Sequence, residues 1–193
     1  MKTNRLIALV LVLIVALSLC LTSCEDEKNK DLANLNKLAQ KLEGDYTVSI
    51  NVKSENGSIS SREYSVKNDN GKKTVYAKIE TLNKFDVSGG EITPPESYST
   101  VTEGYLTEAE IAKGNFELPE FKFSSSNITI RNNSTMPETT LVGKVSSLTE
   151  LMGKTFDASD VGLTVSYNAD EIKLISISFT SSQSYTVTLT YIF

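Results

Sequence analysis

The spacing of apolar residues changes twice along this chain, and each change marks a different kind of segment. From Leu6 to Leu21 nearly every residue is Leu, Ile, Val or Ala, with only Ser18 and Cys20 between them. Leu32, Leu35, Leu38, Ala39 and Leu42 then recur at helical spacing, which predicts an amphipathic helix over about 32–43. Asp31 can accept hydrogen bonds from the first-turn N–H groups, and Gly44 can end the helix in a left-handed conformation. From Tyr46 the period drops to two: Tyr46, Val48, Ile50 and Val52 alternate with Thr47, Ser49 and Asn51, as in a strand with one buried face.

Turn residues then punctuate a series of strands. Asn56-Gly57 suits a type I′ hairpin, whose two central residues need positive φ. A second strand is expected over about 58–67, a turn at Asn68-Asp69-Asn70-Gly71, and a third strand over 73–82. Residues 86–105 break the rhythm with Ser88-Gly89-Gly90 and Pro94-Pro95, predicting a long irregular loop and an edge strand near 97–104. Thr107 with Glu110, and Ser147 with Glu150, fit capping boxes of two short helices ended by Gly114 and Gly153. Strands are expected at 115–124, 127–132 and 139–145, then in the tail at 163–167, 172–179 and 185–193. A C-terminus of Tyr191-Ile192-Phe193 suggests a paired strand within the sheet. The expected fold is mainly β: an antiparallel barrel or sandwich of about 8–10 strands with one N-terminal amphipathic helix.

The first apolar run has a different meaning. Lys2 and Arg5 precede it, no acid does, and small residues Thr22 and Ser23 follow. A basic head, an apolar middle and small residues before a cut is the layout of a secretory signal. The run falls short of the roughly 18 residues that span a bilayer as a permanent helix. Leu21-Thr22-Ser23-Cys24 resembles the lipobox of bacterial lipoproteins. That resemblance covers the first 24 residues and implies cleavage between Ser23 and Cys24, with lipid added to Cys24. Glu25-Asp26-Glu27-Lys28 also resembles the export signal of Bacteroidetes surface lipoproteins. The address implied is the outer membrane, lipid-anchored and exposed on the cell surface, with the periplasmic face as the alternative. A plain secretory signal followed by an unmodified thiol, or a retained transmembrane anchor, are the other readings of these residues. The chain accordingly divides into a signal at 1–23, an acidic tether at 24–31 and one β-rich domain at 32–193.

Leu42-Glu43-Gly44-Asp45-Tyr46 loosely resembles the G-x-W entry of lipocalin-like (calycin) barrels, with Tyr46 in place of Trp. Small Bacteroidetes lipoproteins with such barrels have a similar layout. The resemblance implies a barrel and carries over no functional residue.

Charge and composition mainly subtract possibilities. Cleavage after Ser23 removes Lys2 and Arg5 and no acid, so the net charge moves from −5 to −7. That balance argues against nucleic acid, whose phosphates need basic patches. If, as the lipobox resemblance implies, Cys20 leaves with the signal and Cys24 is acylated, no thiol remains for disulfides, metals or catalysis. The chain has no His and no Trp, which excludes His-based triads, His-ligated zinc and His acid–base chemistry, and removes the best stacking platform. No catalytic residue, metal ligand or cofactor is expected.

Four candidates remain to be weighed. Asn68-Asp69-Asn70-Gly71 superficially looks like a calcium loop, but Val66 and Ala77 stand where that pattern needs oxygen ligands, so a β-turn is expected. Glu91, Glu96, Glu103, Glu108 and Glu110 surround the long loop, and a converging pair of acids is what glycoside hydrolysis would require. Tyr98 and Tyr105 sit in the same loop and either pack it onto the sheet or offer a face that suits a glycan, a small hydrophobic ligand or a protein partner. Asn56, Asn127 and Asn133 open glycosylation sequons that arise by chance in an Asn-, Ser- and Thr-rich chain. The leading expectation is a non-enzymatic, lipid-anchored envelope protein that binds a ligand or partner. A structural subunit of an envelope complex and a carboxylate-dependent hydrolase are the alternatives.

Overall fold

The computed structural model describes residues 29–54, 57–82, 99–114, 116–134 and 139–193. Residues 29–39 are helical (α1) and a turn follows at 40–41, so helical residues begin and end earlier than the leucine spacing suggests. Asp31 lies within this helix and not at its cap. Among the described residues nine strands follow: β1 (Tyr46–Ser54), β2 (Gly57–Asp69), β3 (Lys72–Leu82), β4 (Ser99–Tyr105), β5 (Ile128–Ser134), β6 (Thr139–Val145), β7 (Ala158–Tyr167), β8 (Ile172–Ser181) and β9 (Thr186–Ile192). Two short helices interrupt them, α2 (Glu108–Ile111) and α3 (Leu148–Met152).

All nine strands share one sheet, in the order β4-β3-β2-β1-β9-β8-β7-β6-β5, and every ladder is antiparallel. The first and last strands therefore meet at the sheet centre, and the C-terminal strand is paired on both sides. Of the two expected forms, barrel or sandwich, the barrel is not formed: the sheet does not close. Parity gives one reason. With nine strands alternating in direction, edge strands β4 and β5 run the same way, so no antiparallel ladder can join them.

The chain between those edges supplies a second reason. Residues 115–124 were expected as a strand, but the described part, 116–124, joins no ladder. It crosses the inner face of the sheet instead. Phe116 packs its ring 5.3 Å from Tyr64 of β2. Leu118 donates its N–H to the Tyr46 hydroxyl of β1 at 3.2 Å, and that hydroxyl donates to the Phe116 carbonyl at 3.2 Å. Phe121 meets Tyr191 of β9 edge to face, with ring centroids 5.4 Å apart. Phe123 then reaches α1, where its backbone N–H donates to Asn36 Oδ1 at 2.8 Å and its carbonyl accepts from Asn36 Nδ2.

This crossover and the helices fill the inner face. Leu32, Leu35 and Leu38 of α1 and Leu148, Leu151 and Met152 of α3 are buried with Phe116, Phe121 and Phe123. Against them lie the inward residues of the strands, among them Val48, Val66, Val75, Leu141, Val165, Ile175 and Ile177. Every second residue points this way, as the two-residue period requires. The opposite phase forms an outer face.

Local signals work as their chemistry dictates. The N–H and hydroxyl of Thr107 both donate to the Glu110 carboxylate, at 2.8 and 2.7 Å, in the capping box of α2. Those bonds hold the Glu110 carboxyl below the usual carboxylate range. The Ser147 hydroxyl accepts from Glu150 N–H at 3.2 Å, and Gly153 ends α3 at φ +66°.

Candidate functional site

The outer face is built from the polar phase of the strands. One row of facing residues runs Glu103, Lys78, Glu63, Ser49, Thr190, Ser176, Thr164 and Val142 across eight strands. The next row runs Val101, Glu80, Ser61, Asn51, Thr188, Ser178, Gly162 and Lys144. The centre of both rows is almost entirely hydroxyl and amide, while charges and apolar residues collect toward the edges. Some hydroxyls are bonded to one another across strands: Ser176 Oγ lies 3.2 Å from Thr190 Oγ1, and Thr140 Oγ1 lies 3.3 Å from Ser166 Oγ. Each hydroxyl has one proton and two lone pairs, so capacity remains for a ligand.

Among the described residues, two hollows are found on this face. One, of about 320 Å³, is lined by Asn51, Ser60, Ser61, Glu80 and Leu82. The other, of about 250 Å³, is lined by Arg131, Val142, Lys144, Asp160, Thr164, Ser176 and Ser178, with Gly143, Gly162 and Leu163. The second hollow exists because Gly162 has no side chain; a Cβ there would stand 2.9 Å from Ser178 Oγ. Two β-bulges frame it. The β5–β6 register shifts between Ile130 and Asn132, at Arg131, and the β7–β8 register shifts between Ser159 and Gly162, around Asp160. Asp160 sits at φ +51°, a left-handed conformation that costs a non-glycine residue about 1–3 kcal/mol. Bulges of this kind redirect side chains and recur beside binding sites.

The residues singled out in the sequence are distributed as follows. Ser23, Cys24, Glu91, Glu96 and Tyr98 lie outside the described residues. Tyr105 ends β4 on the outer face, 73% exposed, and meets the ring of Tyr76 edge to face at 5.2 Å. Its neighbours on that edge, Val101 and Leu82, are also exposed. Glu103 shares the outer face with Tyr105, Glu108 lies on α2, and Glu110 is held in the capping box. Asn70 and Gly71 both adopt positive φ in the two-residue turn joining β2 to β3, so this segment is the hairpin its composition suggests. Its side chains are already engaged: the Asn68 amide donates to the Gly44 carbonyl, and Asn70 Nδ2 donates to Asp69 Oδ1 at 2.9 Å, while the Asn68 backbone N–H donates to Asp45 Oδ1 at 2.9 Å. Asn127 is buried, accepting from Ser124 N–H at 3.2 Å and donating to the Lys122 carbonyl at 3.3 Å, which is a structural post.

Among the described residues, no group of three or more His, Cys, Asp or Glu is arranged to hold a metal. No described helix is long and apolar enough to cross a membrane. The Gly162 hollow was not read from the sequence. Its signal was the run of Ser and Thr in the polar phase of β7 to β9, which by itself describes any solvated strand face. No protein-family model and no curated protein matches this chain in sequence.

Proposed function

We propose that this chain is a lipoprotein anchored through Cys24 to the bacterial outer membrane, facing the cell exterior. Its sheet domain acts without catalysis, as a binding module that engages its ligand on the outer face. The observation that supports this reading is the filling of the inner face. The α1 leucines and Phe116, Phe121 and Phe123 occupy the side where a barrel would hold a small hydrophobic ligand. Recognition then falls to the hydroxyl-rich outer face, with its two hollows and its Tyr76–Tyr105 edge.

Two measurements test it. Cys24→Ala should abolish palmitate labelling and release the protein from membranes; retention of either would refute the anchor. A thermal-shift screen of the purified lipoprotein against oligosaccharides, with mild crosslinking in cells alongside, tests the binding role. Stabilisation by a glycan, or recovery of a stoichiometric partner crosslinked through the outer face, is the expected result. Neither appearing would refute the module.

A further inference from the structure

We propose that the Gly162 hollow is a subsite for an anionic sugar, one that carries a carboxylate or a sulfate ester beside free hydroxyls. This rests on the reading that the outer face binds a ligand, and it names the chemistry of that ligand.

Charge comes first. The chain is acidic, yet Arg131 and Lys144 line one small hollow together, with Asp160 as the single acid among its lining residues. Neither cation makes an ion pair among the described residues, where the ion pairs are Lys122–Glu120 and Lys173–Glu171. Two cations held on adjacent strands favour an anion between them, and guanidinium pairs with planar or tetrahedral oxyanions in a bidentate way.

The remaining lining residues narrow the class. The Asp160 carboxylate repels a bare oxyanion but accepts hydrogen bonds from hydroxyl groups. Thr164, Ser176 and Ser178 both donate and accept, which suits a polyol. A ligand must therefore present negative charge and hydroxyl donors within one unit. The hollow, about 250 Å³, is shallow and open, as suits one residue of a longer chain lying across the strands. Val142 is its one large apolar side chain without a charge on the outer phase, and no aromatic ring lines it. Neutral sugars lose the stacking that usually holds them.

The backbone explains how the residues are brought there. The β5 bulge carries Arg131 and the β7 bulge carries Asp160, and between them Gly162 leaves the floor open. A side chain at Gly162 would fill the space that Ser178 Oγ now borders.

The test uses the intact lipoprotein in detergent micelles, titrated with oligosaccharides of equal length that are neutral, uronic or sulfated. The acidic sugars should bind about tenfold or more tightly than the neutral one, and weaken with added salt. Arg131→Ala and Lys144→Ala are surface changes that should keep the unliganded melting temperature and each cost several-fold in affinity. Gly162→Ala should weaken binding while leaving the fold intact, since the Ser178 hydroxyl can rotate away. Whether the uronic or the sulfated sugar binds better identifies the source of the charge, and either preference supports the proposal. Equal binding of neutral and acidic sugars, insensitive to these variants, overturns the subsite and leaves the binding module standing. Acidic binding that the variants do not affect places the site elsewhere and also overturns it. No binding by any sugar overturns the subsite, and the module then stands or falls on partner recovery.

Discussion

Asn36 of α1 and Phe123 of the crossover, 87 residues apart, are joined by two hydrogen bonds that satisfy both backbone polar groups of Phe123. The amide of Asn36 does for this segment what a neighbouring strand would otherwise do. Asn36→Ala should destabilise the domain by about 1–3 kcal/mol, because a partly buried N–H and C=O both lose their partner. Asn36→Asp keeps the acceptor for the Phe123 N–H but sets a carboxylate oxygen against the Phe123 carbonyl, so it should also destabilise the domain. Urea denaturation of the three proteins measures the difference; equal stability for all three would show that the crossover needs no tether.

Tyr46 performs the same service one strand further along. Its hydroxyl bridges the Phe116 carbonyl and the Leu118 N–H. Tyr46→Phe keeps the ring in the core and removes that bridge, with an expected loss of about 1–2 kcal/mol. Unfolding by denaturant, with an unchanged slope, checks that stability and not compactness has changed.

Alkaline pH should loosen the domain through its inward tyrosines. Burial, and then the charge of Asp31, pushes Tyr167 up to about 12 from the ordinary 10, and burial likewise raises Tyr191. Between pH 10 and about 12 the unfolded chain releases the Tyr167 proton while the folded chain keeps it. Stability is thus fully present below pH 10 and falls across that window. Tyr167→Phe should show a shallower fall between pH 10 and 12 in chemical denaturation, and an identical slope would refute the assignment.

Two inward-phase glycines make opposite predictions. A Cβ on Gly143 would stand 3.0 Å from the Thr129 carbonyl and 3.2 Å from Ile128 Cγ2, so Gly143→Ala should strain the β5–β6 ladder by about 1–3 kcal/mol. A Cβ on Gly104 meets nothing within 4 Å, and Gly104→Ala should be neutral or stabilise by up to about 1 kcal/mol. Thermal unfolding of the pair tests whether the two edges are packed as described.

The strands that the sequence made legible are those where alternation and turn chemistry agree. Asn70-Gly71 at positive φ sets the β2–β3 register, and the tail alternates over Leu163–Tyr167 and again from Ile175 onward, slipping by one residue at the Ser166/Tyr167 register shift. The crossover misled because Phe121 and Phe123 are buried while Lys122 is exposed, which is a strand pattern. Alternation reports an extended backbone with two sides; it does not report a ladder partner. Here Lys122 N–H donates to the Leu151 carbonyl and Phe123 pairs with a side chain. Closure was illegible for a similar reason, since barrel and open sheet share the same period and differ in whether the edges run compatibly. The Gly162 hollow depends on two bulges and a missing Cβ, and none of these leaves a mark in hydrophobic periodicity.

The pairing of β1 with β9 also sets an order in time. β1 to β4 and β5 to β9 are each linked to their sequence neighbours, so both runs are local and can form early. The ladder between them pairs Thr47 with Ile192 and Lys53 with Thr186, nearly the whole described chain apart. Contacts this distant must bear the loop-closure entropy first, which makes the central seam the slow step of folding. A chain that emerges N-terminus first keeps the open edge of β1 until β9 arrives.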